Sequence, residues 1–172
     1  MAKTIKTYIF CFDDYRSFSE DVKKRFSDPA RYKVISFQTR QEFLKHLEEE
    51  KEHTFCKVAI LGMHNTNEQL EMIDHLSVEI SKIDPKTGVI LLIPEEKMED
   101  VKKTVKFNID AYIPQNTNAI LRIHNAVKKL ISENSIVRFR KRRNVSLTFL
   151  FAFLILSLLL ILVAWFKLPE YF

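Results

Sequence analysis

The chain has 172 residues, of which 47% are hydrophobic and 28% charged, a composition that excludes a disordered tail or a coiled-coil rod. Its two glycines and two cysteines argue against glycine-rich phosphate loops, disulfide frameworks and cysteine-based zinc sites. The net charge is +5, but setting aside the five basic residues of the run RFRKRR at 138–143, with Lys167 and Glu170, leaves 21 of the 27 basic and 21 of the 22 acidic residues. Because the remainder is neutral, a nucleic-acid partner is not expected.

The first part of the chain alternates predicted strands and helices. Thr7–Phe12 is a short run of β-favouring residues that ends at Asp13-Asp14, and apolar side chains then recur at helical spacing. Tyr32–Phe37 predicts a second strand. Thr39 follows it and begins the pattern Thr-x-x-Glu, which resembles a capping box and predicts the start of a second helix.

The pattern continues to about residue 133. The remaining predicted strands are Lys57–Leu61, Val89–Ile93 and Ala111–Ile113. A third helix is predicted between the third and fourth strands. Glu95–Phe107 predicts a charged fourth helix, and Asn116 or Thr117 caps a predicted fifth helix. Such alternation, with continuously apolar strands, predicts an α/β fold with a doubly wound, five-stranded parallel sheet covered on both faces. Ligands of such sheets bind at the carboxyl ends of the strands.

The C-terminal part predicts a membrane anchor. Residues 145–166 (VSLTFLFAFLILSLLLILVAWF) carry no charge over 22 positions. A helix of this length spans roughly 33 Å, enough to cross the hydrocarbon core of a bilayer. The predicted division of the chain is therefore a domain at 1–133, a basic juxtamembrane linker at 134–144, a transmembrane helix at 145–166 and a short tail at 167–172.

The charges beside this segment predict its orientation. The basic residues that precede it are Arg138, Arg140, Lys141, Arg142 and Arg143, whereas only Lys167 follows. The positive-inside rule then places the N-terminal domain in the cytoplasm. The same basic run is also suited to bind anionic lipid headgroups, and the two roles are compatible.

Over about residues 4–133 the chain resembles the receiver domain of two-component response regulators. The resemblance lies in the order and length of the elements, in Asp13-Asp14 closing the first strand, and in the segment NIDAYIPQ at 108–115. Tyr112 falls at the aromatic position of the family's fifth strand, and Pro114 comes just before the position of its lysine. The resemblance implies a flavodoxin-like, CheY-like sheet of strand order 2-1-3-4-5 and a bacterial-type inner membrane as the location, while an anchored C-terminus also suits other membranes that face the cytoplasm.

The chemistry of receivers is not complete in this sequence. Receivers transfer a phosphoryl group to an aspartate at the end of the third strand, with an acidic pair that holds Mg²⁺, a hydroxyl after the fourth strand and a lysine after the fifth. At the positions of the acceptor, the hydroxyl and the lysine, this chain has Gly62, Ile93 and Gln115. The resemblance therefore implies a pseudo-receiver that cannot undergo conventional aspartyl phosphorylation.

Two carboxylates remain in the degenerate pocket. Asp13 and Asp14 without a third ligand bind Mg²⁺ only weakly, and their simpler role is to favour the start of the following helix. His64, in the loop after the third strand, has no carboxylate in the sequence nearby that would orient it as a substitute acceptor. The expectation is that the protein has no cofactor and no resident metal.

These observations predict a non-enzymatic, membrane-tethered signalling or scaffold module that binds a protein partner not identified by the sequence. The resemblance implies a partner surface made of the fourth helix, the fifth strand and the fifth helix, with Tyr112 near its centre. The alternative is a ligand- or cation-responsive sensor domain that uses Asp13, Asp14 and Gln115. Homodimers through the fourth and fifth helices are a third possibility.

Overall fold

The computed structural model describes residues 7–12, 16–51, 55–63, 67–104 and 108–167, without the side chains of 16–17, 67–68, 104, 137–148 and 158–167. The strands are β1 (Thr7–Phe12), β2 (Tyr32–Phe37), β3 (Cys56–Gly62), β4 (Gly88–Ile93) and β5 (Ala111–Pro114). The helices are α1 (Arg16–Arg25), α2 (Arg40–Glu49), α3 (Asn67–Ile83), α4 (Met98–Thr104) and α5 (Ala119–Lys167).

The five strands form one parallel sheet in the order β2-β1-β3-β4-β5, as predicted. The central strands β1 and β3 are buried along nearly their whole length. Burial on both faces explains why their sequences are continuously apolar rather than alternating. Because all strands run the same way, their carboxyl ends lie along one edge of the sheet.

Two buried clusters cover the two faces of the sheet. On one face, α2, α3 and α4 contribute Phe43, Leu76 and Val101 to a core that includes Phe10 of β1. On the other face, α1 and the residues after it, together with the start of α5, pack against β1, β3 and β4 through Val22, Phe26, Ile123 and Val127. The α1/α5 face and the α2/α3/α4 face are therefore distinct surfaces of the same sheet.

The start of α2 follows the predicted capping pattern, whereas the fourth helix is shorter than predicted. The Thr39 hydroxyl accepts a hydrogen bond from the Glu42 backbone N–H at 3.3 Å. After β4, the segment Glu95–Lys97 forms a 3₁₀ turn, because the Lys97 N–H bonds to the Pro94 carbonyl at 3.0 Å. The α-helical part then covers only Met98–Thr104 instead of the predicted Glu95–Phe107, whose last three residues lie outside the described part.

The chain divides into two compact units, Met1–Ser132 and Glu133–Phe172. The residues of α5 up to Ser132 belong to the first unit and the rest of that helix to the second. Within the described part of the chain, no helix is found that is both long and apolar enough to cross a membrane. The transmembrane helix predicted for 145–166 and the finer division around it stay predictions.

Candidate functional site at the strand ends

The sheet register brings three of the five predicted pocket residues to one edge. Gly62 is the last residue of β3 and pairs with Leu92, and Ile93 is the last residue of β4 and pairs with Pro114. Gln115 follows directly after β5. Asp13, Asp14 and His64, which were predicted in the adjoining loops, lie outside the described residues.

Gln115 links the ends of three strands. Its backbone N–H donates to the Ile93 carbonyl at 2.7 Å, while its side-chain Nε2 donates to the Met63 carbonyl at 2.8 Å. Met63 itself is buried, and its N–H donates to the Leu92 carbonyl at 2.9 Å. The amide of Gln115 therefore fixes the position of the chain just after β3 relative to β4 and β5.

The chemical character of these three positions is neutral. Gly62 has no side chain, and Ile93 is fully buried in the core on the α2/α3/α4 face. Gln115 supplies an amide whose N–H is already used by a backbone carbonyl. A phosphoryl group needs a nucleophilic oxygen to accept it and cations to neutralise its charge, and Gly62, Ile93 and Gln115 offer neither.

A metal centre is not formed by the residues that the structure describes. No group of three or more His, Cys, Asp or Glu side chains is placed there to hold a metal ion. The weak cation site predicted at Asp13 and Asp14 falls outside this part of the chain and stays a prediction.

Tyr112 lies on β5, opposite Leu91 of β4, and packs half-buried against the core of the α2/α3/α4 face. Burial raises the pKa of its phenol above the ordinary value of 10.0, and the negative charge of Asp74 on α3 raises it further. The hydroxyl is therefore protonated at neutral pH. Its predicted role in partner binding is not tested by these contacts.

A polar cavity of about 290 Å³ lies away from this edge, beside the start of β4 and the residues that precede β5. It is lined by Ser81, Pro85, Thr87, Val89, Asn108, Ile109 and Asp110. The carboxylate of Asp110 accepts a hydrogen bond from the Val89 N–H at 2.7 Å, so it helps to start the pairing of β5 with β4. This cavity is separate from the predicted pocket.

A buried ion pair was not anticipated from the sequence. Lys57 of β3 donates from Nζ to Asp84 Oδ2 at 2.7 Å and to the Lys51 carbonyl at 3.1 Å, with both charged side chains nearly inaccessible. Burial favours the neutral acid, but the hydrogen bonds from Lys57 and the Lys86 N–H outweigh it and hold the pKa of Asp84 below 3.8. The signal in the sequence is a lysine at the start of an otherwise apolar strand, which needs a partner when it is buried.

The predicted basic run at 138–143 lies within α5. Its side chains belong to those that the structure does not describe, so the assigned roles in topology and lipid binding stay predictions.

No protein-family model matches the chain, and no curated protein is similar to it. Solved structures of receivers are similar. A response regulator receiver domain protein from Clostridium thermocellum has a TM-score of 0.60 at 18% identity, over 76% of this chain and 98% of that one. A response regulator from Thermotoga maritima has a TM-score of 0.58 at 21% identity, over 74% and 98%. A CheY-like receiver domain protein from Methanospirillum hungatei has a TM-score of 0.54 at 19% identity, over 76% and 97%.

These likenesses confirm the receiver fold that the sequence predicts. Each of the three proteins is covered almost completely, whereas about a quarter of this chain has no counterpart in them. Identities this low speak for the fold alone, because one fold carries many functions.

Proposed function

We propose that the chain is a membrane-tethered, receiver-like signalling module that does not accept a phosphoryl group and that binds a protein partner without enzymatic activity. The observation that carries the proposal is the bond from Gln115 Nε2 to the Met63 carbonyl, beside Gly62 and Ile93. At the position where receivers have a lysine, a neutral amide after β5 holds the chain just after β3, two strands away in the sheet, by donating to a backbone carbonyl. Such a contact favours one arrangement of the strand ends and does not need a phosphoryl group to form.

The surface for the partner is proposed to be α4, β5 and the part of α5 within the first unit. Tyr112 lies in this region and is partly accessible, with its ring packed on the core. The exposed side chain of Leu121, on the first turns of α5, adds an apolar contact point. The partner itself is not specified by these contacts.

The tether is proposed from the uncharged segment 145–166 and from the described side chains within it. Phe149 is 74% exposed, Phe153 66% and Ile155 62%. Exposing large apolar side chains to water is unfavourable in free energy. Contiguous apolar surface of this kind therefore marks an interaction with lipid or protein. Five basic residues just before the segment favour the cytoplasmic side for the domain.

The test of the phosphoryl step uses the full chain in a non-ionic detergent with Mg²⁺ and acetyl phosphate. We expect the intact mass of the wild-type chain to stay unchanged. The variant Gly62→Asp, Ile93→Thr, Gln115→Lys restores an acceptor, a hydroxyl and a cation at the three strand ends. It is expected to gain one phosphoryl group from acetyl phosphate, with release of acetate, as an aspartyl phosphate that hydroxylamine or alkali removes, provided that Asp13 and Asp14 bind the metal.

The matched control is Ile93→Thr, Gln115→Lys, which has the supporting groups but no acceptor and should not be labelled. Phosphorylation of the wild-type chain would overturn the proposal. Saturable Mg²⁺ binding by the wild-type chain that is lost in Asp13→Asn, Asp14→Asn would instead favour the cation-responsive sensor.

A further inference from the structure

The first unit separates its charges between the two faces of the sheet. By sequence, α1 and α5 up to Ser132 carry seven basic and two acidic residues, a formal charge of +5. The segments on the opposite face, α2, α3 and Glu95–Thr104, carry six basic and eleven acidic residues, a formal charge of −5. The first unit has a formal charge of only +1 as a whole, and it therefore has one basic and one acidic surface.

Contacts between the helices support treating each face as one surface. On the basic face, Arg25 Nη2 of α1 lies 3.5 Å from His124 Nδ1 of α5, and the rings of Phe26 and His124 lie 5.5 Å apart. The charges of Lys128 and Arg25 both lower the pKa of His124, after burial, which has the larger effect. Positive side chains of α1 and α5 thus lie close enough together to act on the same histidine.

The acidic face is connected in the same way. Arg40 of α2 makes two contacts with the Glu79 carboxylate of α3, Nη2–Oε1 at 2.6 Å and Nε–Oε2 at 3.2 Å. Glu48 and Glu71, on the same two helices, are exposed and add to the negative surface.

From these charges we propose that copies of this chain associate face to back, with the α1/α5 face of one copy against the α2/α3/α4 face of the next. Equal and opposite formal charges make each face complementary to the other face of a second copy, and like faces repel each other. Because the two surfaces differ, the contact is heterologous and leaves one free basic and one free acidic face at the ends of each assembly. This inference does not rest on the proposed function, since it uses neither the strand-end pocket nor the membrane segment.

The experiment is sedimentation equilibrium of the full chain in a density-matched non-ionic detergent at low and high salt. We expect assemblies of two or more copies at about 20 mM salt that dissociate to single chains at about 500 mM, because salt screens charges beyond a Debye length that shrinks from tens of ångströms to a few.

The variant Arg25→Glu, Lys128→Glu lowers the formal charge of the basic face from +5 to +1. The variant Glu48→Lys, Glu71→Lys changes the acidic face from −5 to −1. Each alone should sediment as a single chain at low salt.

The decisive arm mixes these two variants. One retains an intact acidic face and the other an intact basic face, so the mixture should form a 1:1 complex that does not grow further. Arg31→Glu, Lys86→Glu makes the same change in net charge as the first variant, but in the loops that precede β2 and β4, and should associate like the wild-type chain. Circular dichroism verifies that each variant is folded.

Three results would overturn the inference. They are a wild-type chain that is single at low salt, an association that survives high salt and both charge reversals, and a mixture that forms no complex. The second of these would point to association through the apolar segment instead.

Discussion

Lys57 and Asp84 show how a single pair of residues connects three elements of the first unit. Lys57 lies near the start of β3, its ammonium also bonds to the Lys51 carbonyl after α2, and Asp84 follows α3. Asp84 Oδ1 accepts the Lys86 N–H at 3.0 Å, which holds the turn before β4. Burying these two charges costs free energy, which their mutual attraction offsets only while both are present. Removing either side chain alone therefore leaves an unpaired buried charge and destabilises the fold.

We therefore expect Lys57→Met to lower the free energy of unfolding by about 3–5 kcal/mol, because it leaves the Asp84 carboxylate buried without its cation. Urea unfolding of the full chain in detergent, followed by circular dichroism, measures the loss. The double variant Lys57→Met, Asp84→Leu removes both charges and should recover much of the stability, but not the part due to the Lys86 N–H bond, which leucine cannot accept. Lys24→Ala breaks an exposed pair with Asp21 and should cost less than about 1 kcal/mol. Equal losses for Lys57→Met and Lys24→Ala would contradict this account.

At the level of the elements, the packing of α1 on α5 places a titratable group between basic side chains. Burial lowers the pKa of His124 below 6.5, and the charges of Lys128 and Arg25 lower it further. The unfolded chain therefore binds a proton at His124 more readily than the folded chain does. Stability associated with the neutral ring is present above pH 6.5 and is lost as the pH falls through that value toward the lower pKa of the folded state.

This sign gives a prediction for the pH dependence of unfolding. The wild-type chain should lose more stability between pH 7.5 and about pH 5.5 than His124→Gln, which keeps a polar side chain but does not titrate. The urea midpoints of the two proteins across this range measure the difference. The titration of the other four histidines contributes equally to both proteins and cancels in the comparison. A wild-type chain that becomes more stable on acidification relative to His124→Gln would refute the assignment.

The elements that the sequence predicts well are those whose boundaries are set by strong local signals. Thr7–Phe12 and Tyr32–Phe37 match β1 and β2, because apolar β-favouring runs end there at polar or turn residues. The predicted fourth helix is too long, since its charge pattern gives no sign that Pro94 begins a 3₁₀ turn. The strand order also follows from the pattern, through the rules for parallel sheets and the resemblance to receivers.

The candidate site was predictable only in part. Gly62, Ile93 and Gln115 could be placed at one edge because parallel strands share their carboxyl end. The bond from Gln115 to the Met63 carbonyl could not, because it depends on the relative register of β3 and β5 and on one side-chain rotamer. Pairings such as Lys57 with Asp84 likewise join residues that are 27 positions apart and have no local signature.

At the scale of the whole molecule, two kinds of sequence divide the chain. Residues 1–137 carry balanced charges, whereas 138–143 are basic and 145–166 have no charge at all. An average over the chain conceals this contrast, because the mean hydropathy of −0.11 is that of an ordinary water-soluble protein. A domain attached to a surface meets partners on that surface at a raised effective concentration, so the proposed tether would favour weak contacts of the kind inferred between the two charged faces.

The proposed tether makes a prediction for the intact protein expressed in a bacterium. The full chain should stay with the membrane fraction after extraction at alkaline pH, because an uncharged helix of 22 residues inserts stably, whereas a peripheral protein is released. External protease added to spheroplasts should leave the N-terminal domain intact, since the positive-inside rule keeps it in the cytoplasm.

Replacing Arg138, Arg140, Lys141, Arg142 and Arg143 by Gln should weaken that preference and expose the domain in a fraction of the molecules. The control variant changes an equal number of basic residues outside this run, Lys23, Lys24, Lys45, Lys102 and Lys103, and should keep the wild-type orientation. Release of the full chain at alkaline pH would show that 145–166 does not span a membrane.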